Sequence, residues 1–368
     1  MVHGYRKRFS IAAVALFILC SPLVLLENQG MSVTAPEQAF YSLSGDGVEL
    51  VRLSPGDGGG WAYESVNSIT STNGSLLKIQ GLATDHSTSR VLALRQQRSG
   101  VQILELDMMT ARARSLLTLP GVELQSFAIH PVTGEIAGYS GTQHMLVVID
   151  PMTGMFRRVE LKSETTLLDI TFEHAPRPVL YAVAADHALY SISLQNGELR
   201  RVTVDAKVRG VRALDFIPGV GLVALGEQLY HLDLSSGRVQ ILSGELNSGL
   251  HELAVVDRRL QRKTRVGYVR SRETEAGNML EWMTDEEVHN LGFWVVRNDA
   301  VTGEYKLVTP RLIYGQGNSS RRRYYTFVDR MAEPGKQYTY FLIDVTFDGP
   351  VARYGPVVSE APFTASVE

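Results

Sequence analysis

The stretch from Gln125 to Leu161 decides the fold. It divides into Gln125-Ser-Phe-Ala-Ile-His130, Pro131-Val-Thr-Gly134, Glu135-Ile-Ala-Gly-Tyr139, Ser140-Gly-Thr-Gln143, Met145-Leu-Val-Val-Ile-Asp150, a Pro-Met-Thr-Gly154 turn, and Phe156-Arg-Arg-Val-Glu-Leu161. Four short apolar runs are separated by turns that hold Gly, Pro or Asp. That is the pattern of a meandering antiparallel sheet. The stretch is also one copy of a repeat. His86, His130, His174 and Pro218 follow one another at 44-residue steps, each between a first and a second run. A period of this size indicates a repeat architecture.

The same four runs recur outward from this copy. One unit precedes it: Gln80–Thr84, Val91–Leu94, Val101–Leu106 and Ala113–Leu117. Two follow, beginning at Leu168 and Ala213. Four strands in about 43 residues make one propeller blade. Ahead of the four complete blades lie only three runs, starting at Ala39, Glu49 and Gly60, and behind them lies one orphan run, Leu250–Val256. An open blade would leave unpaired edges, so the orphan is expected to join the early three as their inner strand. The count is then five blades. A sixth would need strands hidden in Val208–Val211 or Ser65–Lys78.

The repeats resemble the WD-repeat, quinoprotein-like and NHL-like propeller superfamily in pattern. They lack the Gly-His and Trp-Asp signatures of WD repeats and the repeated Trp docking motif of quinoproteins. The resemblance therefore implies an architecture and no activity. The repeated histidines invite a metal reading. Pro218 at the fourth copy favours a role in the turns instead. No metal site and no cofactor is expected. The turns between second and third strands present Arg95, Tyr139, His144, Asp186, His187 and Glu227 at one mouth of the ring, and these six are the candidate ligand-binding residues.

A charge of -3 from 36 basic and 39 acidic residues gives no reason to expect nucleic-acid binding. The single cysteine, Cys20, lies in the N-terminal apolar run, so the remaining chain must be stabilised without disulfides. Residues 1–30 read as a signal peptide or membrane anchor: Arg6-Lys7-Arg8 precede the 18-residue apolar run Phe9–Leu26. The expected form is an apolar helix, with the rest of the chain sent across the membrane. The protein would then be anchored by its N-terminus, or periplasmic or secreted after cleavage. Residues 31–38 read as a linker and 39–257 as the propeller. Residues 258–265, rich in Arg and Lys, read as a second, basic linker.

Residues 266–368 hold seven further short runs, which predict an immunoglobulin-like sandwich. Within it Leu280-Glu-Trp282-Met-Thr284-x-x-Glu287-x-x-Asn290-x-Gly292-Phe293, Pro334-Gly335-x-x-Tyr338 and Tyr354-Gly355-Pro356 together resemble fibronectin type III-like modules of bacterial secreted proteins. The resemblance implies a spacer or adhesion module without catalytic residues. Glu287 and Asn290 are expected to fix the turn between two strands.

The fold class read from the sequence is thus all-β: a five-bladed β-propeller, a C-terminal fibronectin type III-like sandwich and an N-terminal apolar helix. The function expected is non-catalytic: an extracytoplasmic binding or scaffolding protein whose propeller contacts a protein or glycan of the cell envelope. The rival is an extracytoplasmic hydrolase or lyase working at the propeller mouth. It would need Asp169, Asp186, His187 and Glu227 to meet in one pocket.

Overall fold

The computed structural model describes residues 38–55, 61–88, 90–175, 177–204, 208, 210–246, 249–257, 264–299, 305–346 and 349–360. The expected N-terminal helix, Cys20 and most of the basic linker lie outside the described residues. No helix occurs within them.

Each repeat folds into one antiparallel sheet, because alternating apolar runs need partners for their backbone groups and the Gly-bearing turns bring the next run alongside. Blades 2 to 5 place their innermost strands at Gly81–Asp85, Ser126–Ile129, Leu167–Phe172 and Ala213–Ile217. Blade 1 closes the ring in the way the orphan run requires. Its sheet order puts His251–Asp257 innermost, then Gln38–Leu43, Glu49–Pro55 and Trp61–Ser68. Phe40 pairs with Val255 on one side and with Leu53 on the other. Five blades result. The stretch Ser65–Lys78 supplies no further blade; its short strand Thr70–Ser71 adds in parallel to Arg112–Pro120 at the edge of blade 2.

Burial follows position in the blade. The strands near the axis are almost wholly buried, whereas the outermost strand Phe156–Glu160 buries only Val159. Apolar clusters fill the space between neighbouring blades, as with Ala137, Tyr139 and Val148 of blade 3 against Ile170, Leu180 and Ala182 of blade 4. Burying both faces of the inner strands explains their near-continuous apolar sequence.

The C-terminal strands form a separate seven-stranded assembly. The two runs read from the sequence as separate strands are one strand, Gly277–Asp299, of 23 residues. Its register shifts at Glu287/Asn290 and Asn290/Gly292, and His289 has a φ of 50°. These irregularities bend the strand, so that its first half pairs with Arg265–Thr274 and Arg323–Asp329 and its second half with Tyr338–Thr346 and Tyr305–Leu307. Bulges commonly serve this purpose. Glu287 is buried at the bend. It accepts the Thr284 and Tyr325 hydroxyls at 2.9 and 2.6 Å and the Gln316 N–H at 2.6 Å. The residue expected to fix a turn holds a bend instead, and Gln316 belongs to a strand, Ile313–Ser319, that the sequence did not reveal.

The two halves of the bent strand enclose a core built on Trp282. Its ring is fully buried, stacks on Tyr325 at 5.4 Å and meets Phe293 edge-on at 5.5 Å. Tyr338 forms a corner at the start of Tyr338–Thr346, its hydroxyl accepting the Glu333 N–H at 3.4 Å. The assembly docks on the propeller face that carries the turns between first and second strands. Val132, in the blade 3 turn, packs with Val296, Phe341, Ile343 and Val345. The Arg353 guanidinium lies against Gly134 of the same turn.

Candidate binding cleft and propeller axis

Three carboxylates converge on the axis from the innermost strands. Asp169 of blade 4 accepts the Leu214 N–H of blade 5 at 2.7 Å. Asp215 of blade 5 accepts the Val255 N–H of blade 1 at 2.7 Å and the Thr84 hydroxyl of blade 2 at 3.0 Å. Glu252 of blade 1 accepts the Leu82 N–H of blade 2 at 3.1 Å. Each side chain therefore links its own blade to the next, and two of them span the closing blade. Glu252 sits at a bulge with a φ of 65°, where the Ser42 hydroxyl donates to the His251 and Glu252 carbonyls, 2.9 Å from each.

Burial raises the Asp169 carboxyl from 3.8 to about 7, against the opposing pull of the Leu214 and Ile170 N–H groups and with the Asp215 charge adding to the rise. Burial, with the Asp169 charge added, puts Glu252 well above the ordinary carboxylate range. Neutral carboxyls are the physical solution where several acids share a dry site.

His86 and His174 reach the same axis. Their rings meet edge-on at 4.8 Å, His174 stacks on Phe216 at 6.0 Å, and His86 Nε2 lies 3.7 Å from Asp215 Oδ1. Contact among blades 2, 4 and 5 is possible only at the centre. The cavity beside them is about 10 Å³, closed by Phe127, Phe172 and Leu214. That is room for one water at most. The axis is therefore a packed seam. His130 differs from its two repeats: its Nδ1 accepts the Val132 and Thr133 N–H groups at 3.3 and 3.0 Å, which is the expected turn role. Burial, with the Arg353 charge added, lowers its pKa to about 4. Among the described residues no group of three or more His, Cys, Asp or Glu side chains is placed to hold a metal ion.

A cleft of about 580 Å³ opens on the opposite propeller face, between blades 4 and 5. Leu189, Val202, Val204 and Val208 give it an apolar floor, and Asp186, His187, Arg201 and Glu227 its polar rim. Asp186 is held ionised below the usual carboxylate range by the Ala188 N–H, the Tyr190 hydroxyl and the Arg201 charge. His187 has a φ of 59°, and its Nδ1 lies 3.2 Å from the Val211 carbonyl. With Nδ1 protonated it donates there, and Nε2 is left as an acceptor.

Three of the six sequence candidates, Asp186, His187 and Glu227, thus share one cleft. The others do not join them. Tyr139 is fully buried between blades 3 and 4, its hydroxyl accepting the Leu167 N–H at 3.4 Å. His144 has a φ of 54° and bonds the Ser163 carbonyl through Nε2. Arg95 reaches Gln102 within blade 2 at 3.4 Å. Asp169, required by the enzyme reading, lies on the axis and does not line the cleft. Arg201 and the valines of the floor also line the cleft and were not among the sequence candidates.

No protein-family model and no curated protein matches the chain. Solved structures with a similar course include a chain of a nidogen/laminin complex, at 9% identity and a TM-score of 0.39, covering 60% of this chain and 99% of that one. Hydrazine synthase of Kuenenia stuttgartiensis is similar at 14% identity and a TM-score of 0.32, covering 72% and 76%. A Fn3-like protein from Clostridium thermocellum is similar at 16% identity and a TM-score of 0.20, covering 26% and 88%. At these values none of the likenesses bears on function. The five-blade assignment rests on the sheet order above.

Proposed function

We propose that this chain is a non-catalytic binding or scaffolding protein of the cell envelope, exported by its N-terminal segment, whose propeller engages a protein or glycan through the cleft between blades 4 and 5. The cleft carries the proposal. It is preformed, it sets a few polar groups around an apolar floor, and it is large enough for a side-chain cluster or a small ligand. The C-terminal strands, read as a fibronectin type III-like sandwich, serve as a second contact. Support for that reading comes from the Trp282 core and the Tyr338 corner.

The test is recovery of partners from detergent-solubilised envelope by the full chain, beside a double variant, Asp186→Ala with Glu227→Ala. A partner held by the natural chain and lost by the variant is the expected result. Equal recovery by both, or recovery of nothing above background, refutes the proposal.

A further inference from the structure

We propose that the solvent-facing side of the strands Arg265–Thr274, Gly277–Asp299 (first half) and Arg323–Asp329 binds the chain of a neutral polysaccharide. The side chains at issue form a row. Met283 pairs with Tyr268 on one neighbouring strand and with Tyr324 on the other. Residues opposite one another in a sheet share a face, and alternation along a strand puts Met283 on the face away from the buried Trp282. Tyr324 is 69% exposed and Tyr268 37% exposed. Adjacent strands lie about 4.8 Å apart, so the two tyrosines stand roughly 10 Å from one another with a thioether between them. That span exceeds one pyranose ring and therefore favours a chain over a free sugar. Gly267 keeps the bed low: a Cβ there would come 2.6 Å from the Met283 methyl.

The charges around the row select the partner. Arg270 and Arg272 approach the Glu281 carboxylate at 3.2 and 3.7 Å, and Arg322 meets Asp285 at 2.9 Å. Arg270 also lies over the Tyr268 ring at 5.3 Å. Each of these guanidiniums thus lies within ion-pair reach of a carboxylate on the face itself, two carboxylates serving three. A surface whose ions are already paired gains little from a charged partner. It still offers donors and acceptors side by side, and these suit hydroxyl groups. The tyrosine rings present flat apolar faces with a polar tip, which suit the C–H face of a sugar ring. Both requirements are met by an uncharged polyhydroxylated chain. This inference stands apart from the cleft, which lies on the propeller.

The test is affinity electrophoresis of the full chain, in non-ionic detergent, through native gels cast with one of three soluble neutral polysaccharides: a β-1,3-glucan, a hydroxyethylated β-1,4-glucan or a galactomannan. Polygalacturonate serves as the anionic comparison. The expected result is retardation by at least one neutral polymer, weakened about tenfold by Tyr324→Ala and by Tyr268→Ala. Tyr324→Phe should retain it, and so should the cleft double variant. The last comparison separates failure here from failure of the cleft proposal. Circular dichroism confirms that the variants are folded. Retardation by none of the three neutral polymers, retardation by polygalacturonate alone, or indifference to the tyrosine changes overturns the proposal. So does a dimer in sedimentation velocity that Tyr324→Ala dissociates, because the face would then belong to a second copy.

Discussion

Glu252 holds the last seam of the ring through an oxygen that accepts a buried N–H, and two substitutions separate that bond from the charge. Glu252→Gln keeps an acceptor for Leu82 N–H at the observed 3.1 Å. Glu252→Ala removes it and leaves Leu82 N–H unpaired in a buried strand, at a cost of about 1–3 kcal/mol. At pH 5 the glutamine variant should therefore be within about 1 kcal/mol of the natural chain, and the alanine variant about 2 kcal/mol below it. The order changes with pH. A carboxyl whose folded pKa is raised stabilises the fold fully below its unfolded pKa and loses that contribution as pH rises through the folded value. Asp169, present in both proteins, titrates in the same sense: from 3.8 to about 7, at 1.36 kcal/mol per unit, is (7 − 3.8) × 1.36, or about 4 kcal/mol. Of this (7 − 5) × 1.36, roughly 3 kcal/mol, falls between pH 5 and 8. Glutamine does not titrate and also removes a negative neighbour of Asp169. Its advantage over the natural chain should grow between pH 5 and 8, because the raised Glu252 carboxyl loses its contribution as pH rises. His130 titrates in the opposite sense in both proteins, so the readout is the difference between them. Urea unfolding followed by circular dichroism at both pH values measures it. A gap that fails to widen, or a glutamine variant as weak as the alanine one at pH 5, refutes the reasoning.

Three other substitutions probe the turn, the docking and the second core. The folded pKa of His130 is depressed, so its contribution is full above 6.5 and lost as pH falls towards about 4; (6.5 − 4) × 1.36 gives roughly 3 kcal/mol. His130→Asn keeps an acceptor in the turn and should flatten that acid limb, read from unfolding midpoints at pH 4 and 7. Gly134→Ala places a Cβ at a φ of 76° and drives it into the Arg353 guanidinium, so thermal melting should show a loss of about 1–2 kcal/mol. Trp282→Ala empties the centre of the C-terminal core and should cost about 3–5 kcal/mol in denaturant titration.

The blades were legible because their punctuation is local. Each turn carries its own Gly, Asp or Asn, and Asp107, Asp150 and Asp233 each accept turn N–H groups from the position the repeat assigns them. Closure was legible by counting, since three strands at one end and one at the other leave a single way to finish a ring. The axis was not legible. Its carboxylates do not recur: 44 residues from Asp169 stands Ala213, from Asp215 stands Thr171, and from Glu252 stands Val208. A periodic reading discards such positions, although the axis is where all blades meet. The histidines misled for the opposite reason. They do recur, yet His130 serves its turn while His86 and His174 meet across the centre. The bend at Glu287 was hidden because a bulge leaves the apolar alternation intact on both sides of it.

Ring closure also orders events in time. The strand that completes blade 1 ends at Asp257, more than two hundred residues after its partner Gln38–Leu43. A chain delivered from its N-terminus can build blades 2 to 5 as each emerges, because their pairings are local. Throughout that interval Gln38–Leu43 waits with its inner edge bare, and Leu82 N–H waits for Glu252. Such an edge recruits strands from other chains. Any chaperone that shields residues 38–43 while the rest of the chain is made should raise the yield of the finished ring. A circular permutant of residues 38–257 alone, joined from Asp257 to Gln38 and begun at Gly81, would carry His251–Asp257 directly into Gln38–Leu43 and remove the wait.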